Sequence, residues 1–491
     1  MPTFEVILNG QSHKIEFTGA PLVSVLLAKL GIAHDHPCTQ RGTCGKCAIE
    51  IHGDVSEPTE AELRAGTRLS CQCHVQGDAV MIKNTQQNAI ETAVTALHLG
   101  TPMGEGIGCA VDIGTTTVVL ALVDLKNGAV LSRASAMNPQ RSISADVMGR
   151  ISAAMEGKGE EMRAQICNCI EQLLLEACAE ANVLKNEISI MVLSGNTTML
   201  YLLTGRDPSC LAASPFLADT LFDTEGELLG IPAYYPACMH AFVGADITAA
   251  VLASGMTDTA DIALLCDIGT NGELALWKDE QLFVTSTAAG PAFEGAGISC
   301  GVGSVIGAID TVRVEDDAIV CSTIANAPAV GICGSGLVDA VAAFLELEYI
   351  DETGAADEDL ILTDGIELQQ ADIRALQLAK AAIAAGIQTL LDEANVDYDD
   401  VSTLYIAGGF GSHLNAESAA KIGLIPADLK DKVCVIGNAS LSGAMQMLLD
   451  RASLEKSRAI AANSTHISLG GNPKFNQNYM EQMLFGDEDF F

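Results

Sequence analysis

Cys38, Cys44 and Cys47 fall within one short run, Cys-Thr-Gln-Arg-Gly-Thr-Cys-Gly-Lys-Cys, and two further thiols, Cys71 and Cys73, follow it. Three thiolates on one loop and a fourth on a later anchor make the four-cysteine donor set of a [2Fe–2S] cluster. Gly42 and Gly45 let the loop backbone curl so that its N–H groups point at cluster sulfides. Zinc takes the same ligand type, but it favours two separated Cys-x2-Cys pairs and this segment has one.

A second set of chemically capable residues recurs far downstream. Cys109-Ala-Val-Asp112-Ile-Gly114-Thr115-Thr116-Thr117 runs into an apolar stretch at 118–123, a turn at Asn127-Gly128 and a third apolar stretch at 129–131. Leu264-Leu-Cys-Asp267-Ile-Gly269-Thr270-Asn271-Gly272 repeats the pattern, with apolar stretches at 274–277 and 281–284 around a charged turn. In each copy a buried strand delivers a carboxylate to its tip, where it can hold Mg²⁺ directly or through water. The glycine lets the backbone approach a phosphate, and N–H groups and Thr hydroxyls supply the donors. Two such turns from two halves of a duplicated domain would face each other across a cleft with a nucleotide between them.

Composition narrows the setting. Lys and Arg number 26 against 63 Asp and Glu, a net charge of −37, which repels phosphate backbones and anionic membranes. Neither a nucleic-acid nor a membrane partner is expected. The 16 cysteines are scattered along 491 residues, a pattern of reduced buried thiols around one metal site rather than a disulfide framework. The opening MPTFEVILNG has no basic start followed by an apolar run, so no signal peptide is expected and the location read from it is cytoplasmic. The long uncharged stretch 318–338 carries Pro328 and several glycines and reads as buried strand and turn, not as a membrane span.

The elements that must position the thiols follow in order. Residues 4–8 and 13–17 alternate around Asn9-Gly10, a hairpin signal. A helix over 21–30, the cysteine loop, a strand at 48–51, a short helix opened by Thr59-Glu60 and a strand at 79–82 complete residues 1–84. This order resembles the β-grasp [2Fe–2S] ferredoxins, with a Cys-x5-Cys-x2-Cys loop one residue longer than the plant-type spacing. The segment Leu69-Ser70-Cys71-Gln72 is similar to the ferredoxin segment in which the ligand precedes Gln. The resemblance therefore makes Cys38, Cys44, Cys47 and Cys71 the cluster ligands and Cys73 a bystander. Residues 85–107, with their glycines and Pro102, read as a flexible tether.

Beyond the tether, three more segments join the two Asp-Ile-Gly-Thr turns. Met191-Val-Leu-Ser-Gly195-Asn196-Thr197-Thr198 is a strand into a polar turn, read as a hinge element of the first half. Leu404-Tyr-Ile-Ala-Gly408-Gly409-Phe410-Gly411 is a strand ending in a glycine run, and Ile436-Gly437-Asn438-Ala439-Ser440 opens a helix of small residues. In that order the five segments resemble the ASKHA superfamily of acetate and sugar kinases, Hsp70 and actin. The expected fold is thus mixed α+β and α/β, a β-grasp domain followed by a two-lobed, duplicated RNase H-like ASKHA domain at 108–491, with lobes of about 108–245 and 246–491. The resemblance implies ATP and Mg²⁺ as cofactors, with Asp112 and Asp267 as the Mg²⁺ and water-positioning carboxylates. It gives Gly114, Thr115, Thr116, Thr117, Asn196, Gly269, Thr270 and Asn271 to the phosphate side and Gly408, Gly409 and Gly411 to the adenosine.

A ferredoxin domain joined to an ASKHA domain resembles the reductive activators of corrinoid proteins. That likeness is carried by Ser194-Gly-Asn-Thr-Thr-Met199, Phe242-Val-Gly-Ala-Asp246, Ala288-Ala-Gly-Pro-Ala-Phe-Glu-Gly295, Ile298-Ser-Cys-Gly301, Gly331-Ile-Cys-Gly-Ser-Gly336 and Gly470-Gly-Asn-Pro-Lys-Phe475. It implies an ATP-hydrolysing enzyme that passes one electron from its cluster to the Co(II) corrinoid of a methyltransferase system, restoring Co(I), and that is itself fed by an upstream electron donor. The members compared carry an extra domain between the two parts, and here only the linker stands there. A homodimer stays open. The alternatives are an ATP-gated electron donor to another metalloenzyme and a small-molecule kinase with a redox-sensing ferredoxin domain. Asp246 is a hydrolytic base or second Mg²⁺ contact, or else an ordinary helix N-cap. Glu294 faces the partner or the nucleotide, or else is simply solvated. Cys266, Cys300 and Cys333 are read as packing residues, and the helix around 373–391 as core.

Overall fold

Alternating residues on either side of Asn9-Gly10 pair as two antiparallel strands, β1 (Thr3–Leu8) and β2 (Gln11–Glu16), with Leu8 and Gln11 as the last partners. The computed structural model describes residues 1–8, 11–30, 32, 47–83, 97–356 and 360–486. Helix α1 (Val23–Lys29) buries Val23, Leu26 and Leu27 against Phe4 and Val6 of β1. After β3 (Ala48–Val55), Thr59 caps α2 (Glu60–Ala65) reciprocally. Its side chain accepts from Glu62 N while Glu62 accepts from Thr59 N. With β4 (Arg68–Leu69) and β5 (Val75–Lys83), the sheet order is β2-β1-β5-β3-β4, and β5 runs parallel to β1. This is the β-grasp arrangement expected.

The segment read as a tether is anchored over part of its length. Residues 84–96 lie outside the described residues, but Gly100 N and Met103 N donate to the carbonyls of Leu449 and Leu448. Thr101 N donates to Asp450 Oδ1, and its carbonyl accepts from Arg451 N. From Gly100 onward the chain is therefore fastened to the body that follows.

That body is a duplication. The first half runs β6 (Ile107–Ile113), β7 (Thr117–Asp124), β8 (Val130–Met137), α3 (Val147–Ala153), α4 (Gly159–Ala181), β9 (Ile188–Gly195), α5 (Thr197–Thr204), β10 (Thr224–Leu228), β11 (Ile231–Tyr235) and α6 (Ala245–Ser254). The second opens with β12 (Ala263–Ile268), β13 (Gly272–Lys278) and β14 (Gln281–Thr287). It continues through β15 (Ala308–Glu315), β16 (Ala318–Thr323), β17 (Gly331–Ile332), α7 (Gly334–Glu346), β18 (Leu360–Thr363), β19 (Ile366–Leu368) and α8 (Gln370–Ala394). It closes with β20 (Thr403–Ala407), α9 (Ala416–Lys421), β21 (Val433–Gly437), α10 (Ala439–Leu449), α11 (Arg451–Ala462), β22 (Ser464–His466) and α12 (Pro473–Glu481). The sheet orders β11-β9-β6-β7-β8 and β21-β20-β12-β13-β14 match strand for strand, in direction as well as position. β10 extends one edge of the first sheet and β22 the opposite edge of the second.

The central strands are buried on both faces, which is why they read as unbroken apolar runs. One face of β6 and β7, with Cys109, Val111, Val118 and Leu120, packs under α4. The other face, with Ala110, Val119 and Ala121, packs on α6 and α10. Leu265 and Ala275 of the second sheet join that same middle layer, while Leu264, Cys266 and Leu274 pack beneath α8 on the far side. The outer helix α8 carries the core positions expected for 373–391, and Cys266 and Cys333 are buried packing residues.

The middle layer corrects one expectation. The counterpart of the β21-to-α10 passage in the first half is β11 to α6, not residues 191–198, which match the β20 strand instead. α6 and α10 cross so closely that a Cβ on Gly443 would lie 2.0 Å from Ala249 O. The stretch 318–338 is also different from its expected form. β16 is half-buried and Val330 is 45 % exposed, so the buried part is confined to β17 and the start of α7. Among the described residues no helix is long and apolar enough to cross a membrane.

Because the obstruction at Gly443 is backbone, Gly443→Ala is expected to lower stability by about 2 kcal/mol, read as a fall in thermal midpoint.

Candidate functional site

Cys47 and Cys71 come together at one end of the β-grasp sheet. Their sulfurs are 3.2 Å apart, and with Leu69 they form a small buried cluster of their own. The turn that carries Cys71 is tied down on both sides. Ser70 N donates to Cys47 O, Ser24 N to Ser70 O, and Cys73 N to Leu69 O. A neighbouring Cys71 thiol able to hydrogen-bond it lowers the Cys47 thiol to about 6 in spite of burial, so Cys47 favours the thiolate that binds metals. Cys73 belongs to the apolar core with Val75 and Met81 and accepts from Arg68 Nη2 (3.1 Å), and burial pushes its thiol up. The contrast puts Cys71, not Cys73, beside Cys47. Cys38 and Cys44 lie outside the described residues.

In the duplicated body, Asp112 and Asp267 occupy the same place, next to last in β6 and β12, on the face turned toward the middle layer. The helices of that layer aim their N-termini at these carboxylates. Ser440, second residue of α10, donates to Asp112 Oδ1 (2.7 Å), and Asn438 Nδ2 donates to Oδ2 (2.9 Å). Ser194 Oγ lies 3.0 Å from Ser440 Oγ. The second residue of α6 is Asp246, so one half of the pseudo-symmetric site places a hydroxyl where the other places a carboxylate.

The electrostatics follow from that substitution. Burial, then repulsion from Asp267 and Asp112, pushes Asp246 up to about 8. Burial, then Asp112 and Glu294, pushes Asp267 up to about 7. Burial raises Asp112 as well, against its two donors, and raises Glu273 together with Asp246 and Asp267. Asp246 is not the helix cap, because Gly244 holds that position and Asp246 accepts from Ile247 N. Among the described residues no three His, Cys, Asp or Glu side chains could hold a metal ion unaided.

The two threonine turns are not in strict register. Ile113 pairs with Val118, whereas Ile268 pairs with Gly272, so the first loop is one residue longer. Asn138 N closes the first by donating to Thr116 O, and Gly290 N closes the second by donating to Thr270 O. Asn138 Nδ2 also holds Gly114 O, and Asn196 Nδ2 holds Thr115 Oγ1. Thr116, rather than Thr115, is thus the counterpart of Thr270. Their hydroxyls, from opposite halves, donate to a single oxygen, Glu294 Oε2, at 2.7 Å each. Glu294 is half-buried in this clasp and not a solvated loop carboxylate.

Gly408 has φ +89° and sits so close under the site that a Cβ there would be 2.7 Å from Asp267 Oδ1. Gly409 beside it faces open space, and Gly411 begins the turn Gly411–His413. Phe410 packs on Phe293 with ring centroids 4.9 Å apart, joining the glycine loop to the turn that carries Glu294. Sequence reasoning passed over Asn138, Asn438, Ser440 and the clasp. Asn438 and Ser440 stood in a segment noted for its small residues, and their polar atoms were the signal.

Cys71→Ser is expected to abolish the visible absorbance of a [2Fe–2S] centre after anaerobic reconstitution, and Cys73→Ser to retain it. The raised carboxylates carry a definite pH sign. Unfolded Asp ionises near 3.9, below its folded values of about 7 and 8, so stability without nucleotide falls as pH rises from about 4 through 8. Chemical denaturation should find Asp246→Asn more stable than wild type at pH 8, by on the order of 2 kcal/mol, and no more stable at pH 4.

Comparison with known proteins agrees with both parts. Residues 6–76 match the 2Fe-2S iron-sulfur cluster binding domain, 107–259 the RACo middle region, and 261–491 the C-terminal domain of RACo, the ASKHA domain. The corrinoid activation enzyme RamQ of Eubacterium limosum is 34 % identical over 77 % of this chain and 70 % of its own. The [Co(II) methylated amine-specific corrinoid protein] reductase of Methanosarcina barkeri is 26 % identical over 77 % of each chain. The solved structure of a reductive activator for corrinoid, iron-sulfur protein superposes with a TM-score of 0.72 at 26 % identity, covering 98 % of both chains. This protein therefore belongs to the RACo family, an N-terminal [2Fe–2S]-binding domain joined to an ASKHA domain.

Proposed function

We propose that the chain is an ATP-dependent reductive activator, delivering one electron to the Co(II) corrinoid of a methyltransferase partner and so restoring Co(I). The observation that carries this reading is the presence, in one polypeptide, of the buried Cys47–Cys71 pair and of a cleft whose two halves meet at Asp112, Asp246, Asp267 and Glu294. The activities named for the two relatives, corrinoid activation and corrinoid-protein reduction, support it. When bound, a [2Fe–2S] cluster supplies the one-electron reductant, and an upstream donor must restore it after each transfer.

Cys38, Cys44, Cys47 and Cys71 would hold the cluster. Asp112 and Asp267, with Asp246 behind them, would hold Mg²⁺ directly or through water. Thr115, Thr116, Thr117, Thr270 and Asn271 would bind phosphate, and Gly408, Gly409 and Gly411 would leave room for adenosine. Asp246, pushed up to about 8 in the free cleft, would accept a proton from an attacking water once it has shed its own beside a bound cation. Reducing Co(II) to Co(I) is unfavourable from an ordinary ferredoxin potential of about −400 mV, so some coupled change must assist it. Nucleotide bridging the two halves changes their closure, and closure favours one docked state of the partner over another.

Anaerobic mixing of the reduced protein with Co(II) corrinoid proteins, with and without MgATP, should give Co(I) absorbance with ATP and little without it. Asp267→Asn should keep the cluster spectrum and lose the ATP-dependent part by at least about tenfold. Equal Co(I) formation with and without ATP, or ATP-dependent phosphorylation of a small metabolite instead, would contradict the reading.

A further inference from the structure

Arg150 on α3 is fully buried directly beneath the first threonine loop. Its guanidinium donates to Thr115 O (2.5 Å), Ser144 O (3.0 Å), Gln140 Oε1 (3.2 Å) and Met199 Sδ (3.0 Å). None of these acceptors is charged. Asp146, the nearest acid in sequence, spends its carboxylate on Gly149 N and Ser144 Oγ. Asp146 and Glu294 act on Arg150 only through space, and Arg141, itself only 9 % exposed, brings a second positive charge near it. Burial, with Arg141 beside it, lowers Arg150 to about 9, which still leaves it charged at neutral pH.

A buried cation without a carboxylate is expensive to keep in a protein interior. Replacing such a group by an apolar side chain of the same size is often neutral, so packing alone does not explain this one. The geometry around Thr115 does. A trans peptide points its C=O and N–H in opposite directions. With the Thr115 carbonyl drawn down onto Arg150, the Thr116 N–H is turned up toward the cleft side of the loop, the side on which Thr116 Oγ1 reaches Glu294. The guanidinium also polarises that peptide, strengthening the N–H as a donor to an anion.

We propose that Arg150 is a positioning and counter-charge residue for the nucleotide phosphates, acting from beneath the loop through the Thr115–Thr116 peptide without touching the ligand. This rests on the nucleotide reading of the cleft and adds a source of positive potential beneath the first threonine loop, with Arg141 nearby as a second cation.

The test is calorimetric binding of adenosine, ADP and ATP, each with Mg²⁺, to the full chain as wild type, Arg150→Met and Arg150→Lys. Methionine keeps bulk and drops the charge; lysine keeps the charge and drops the fork. The expected loss in Arg150→Met grows with phosphate charge, from none for adenosine to about tenfold or more for ATP, and Arg150→Lys stays within about threefold of wild type for ATP. A loss in Arg150→Met equal for adenosine and ATP, or no loss at all, overturns the proposal. If Arg150→Met does not fold, Arg150→Lys decides, because an ATP loss of about tenfold or more there overturns it as well. A wild-type protein that binds adenosine and ATP equally would instead overturn the nucleotide reading, and this proposal with it.

Discussion

The crossing of α6 and α10 is the contact on which the cleft depends. Gly443 lets the two helices touch backbone to backbone at Ala249, and the touch fixes where both N-termini end. From there α10 offers Ser440 and Asn438 to Asp112, while α6 holds Asp246 against the charges of Asp267 and Asp112. A duplicated fold would ordinarily give two equivalent strand tips. Here one tip is held by hydroxyl and amide donors and the other is opposed by like charges. On the proposed function, a divalent ion in the cleft would relieve a repulsion that burial makes strong.

Glu294 connects this electrostatics to movement. Its one oxygen takes hydroxyls from Thr116 of the first half and Thr270 of the second, a pair of charge-assisted bonds that spans the cleft. On the proposed function, phosphate oxygens would compete for the same hydroxyls and exchange an internal anion for an external one. The exchange reaches the glycine loop through Phe293 and Phe410 and the first threonine loop from beneath through Arg150. Of these contacts, the pair of bonds at Glu294 spans the two halves, while the ring contact and the Arg150 bond each tie a loop within its own half.

Much of this was legible in the chain. The Asn9-Gly10 hairpin, the capping box at Thr59 and Glu62, and the strands ending in Asp112 and Asp267 follow from local rules, and local rules suffice where neighbours in sequence make the structure. The rest depends on contacts between segments far apart. The one-residue difference between the threonine loops is a matter of strand pairing, and it moved the counterpart of Thr270 from Thr115 to Thr116. The hinge partner of α10 was misplaced at 191–198, because a strand followed by a polar turn looks alike in β9 and in β11. Arg150 gave no local signal, and the turn of Glu294 left a functional and a solvated reading both open, since burial of the one and clasping by the other come from residues up to 178 positions away.

The most direct measurement is proton release on binding MgATP at pH 7.5, taken by calorimetry in two buffers of different ionisation enthalpy. Asp246 and Asp267, at about 8 and 7, hold a proton part of the time in the free protein and must shed it to face a bound cation. Release of a substantial fraction of a proton, needing Mg²⁺ and shrinking in Asp246→Asn, is expected. Binding of MgATP with no Mg²⁺-dependent proton release would contradict it.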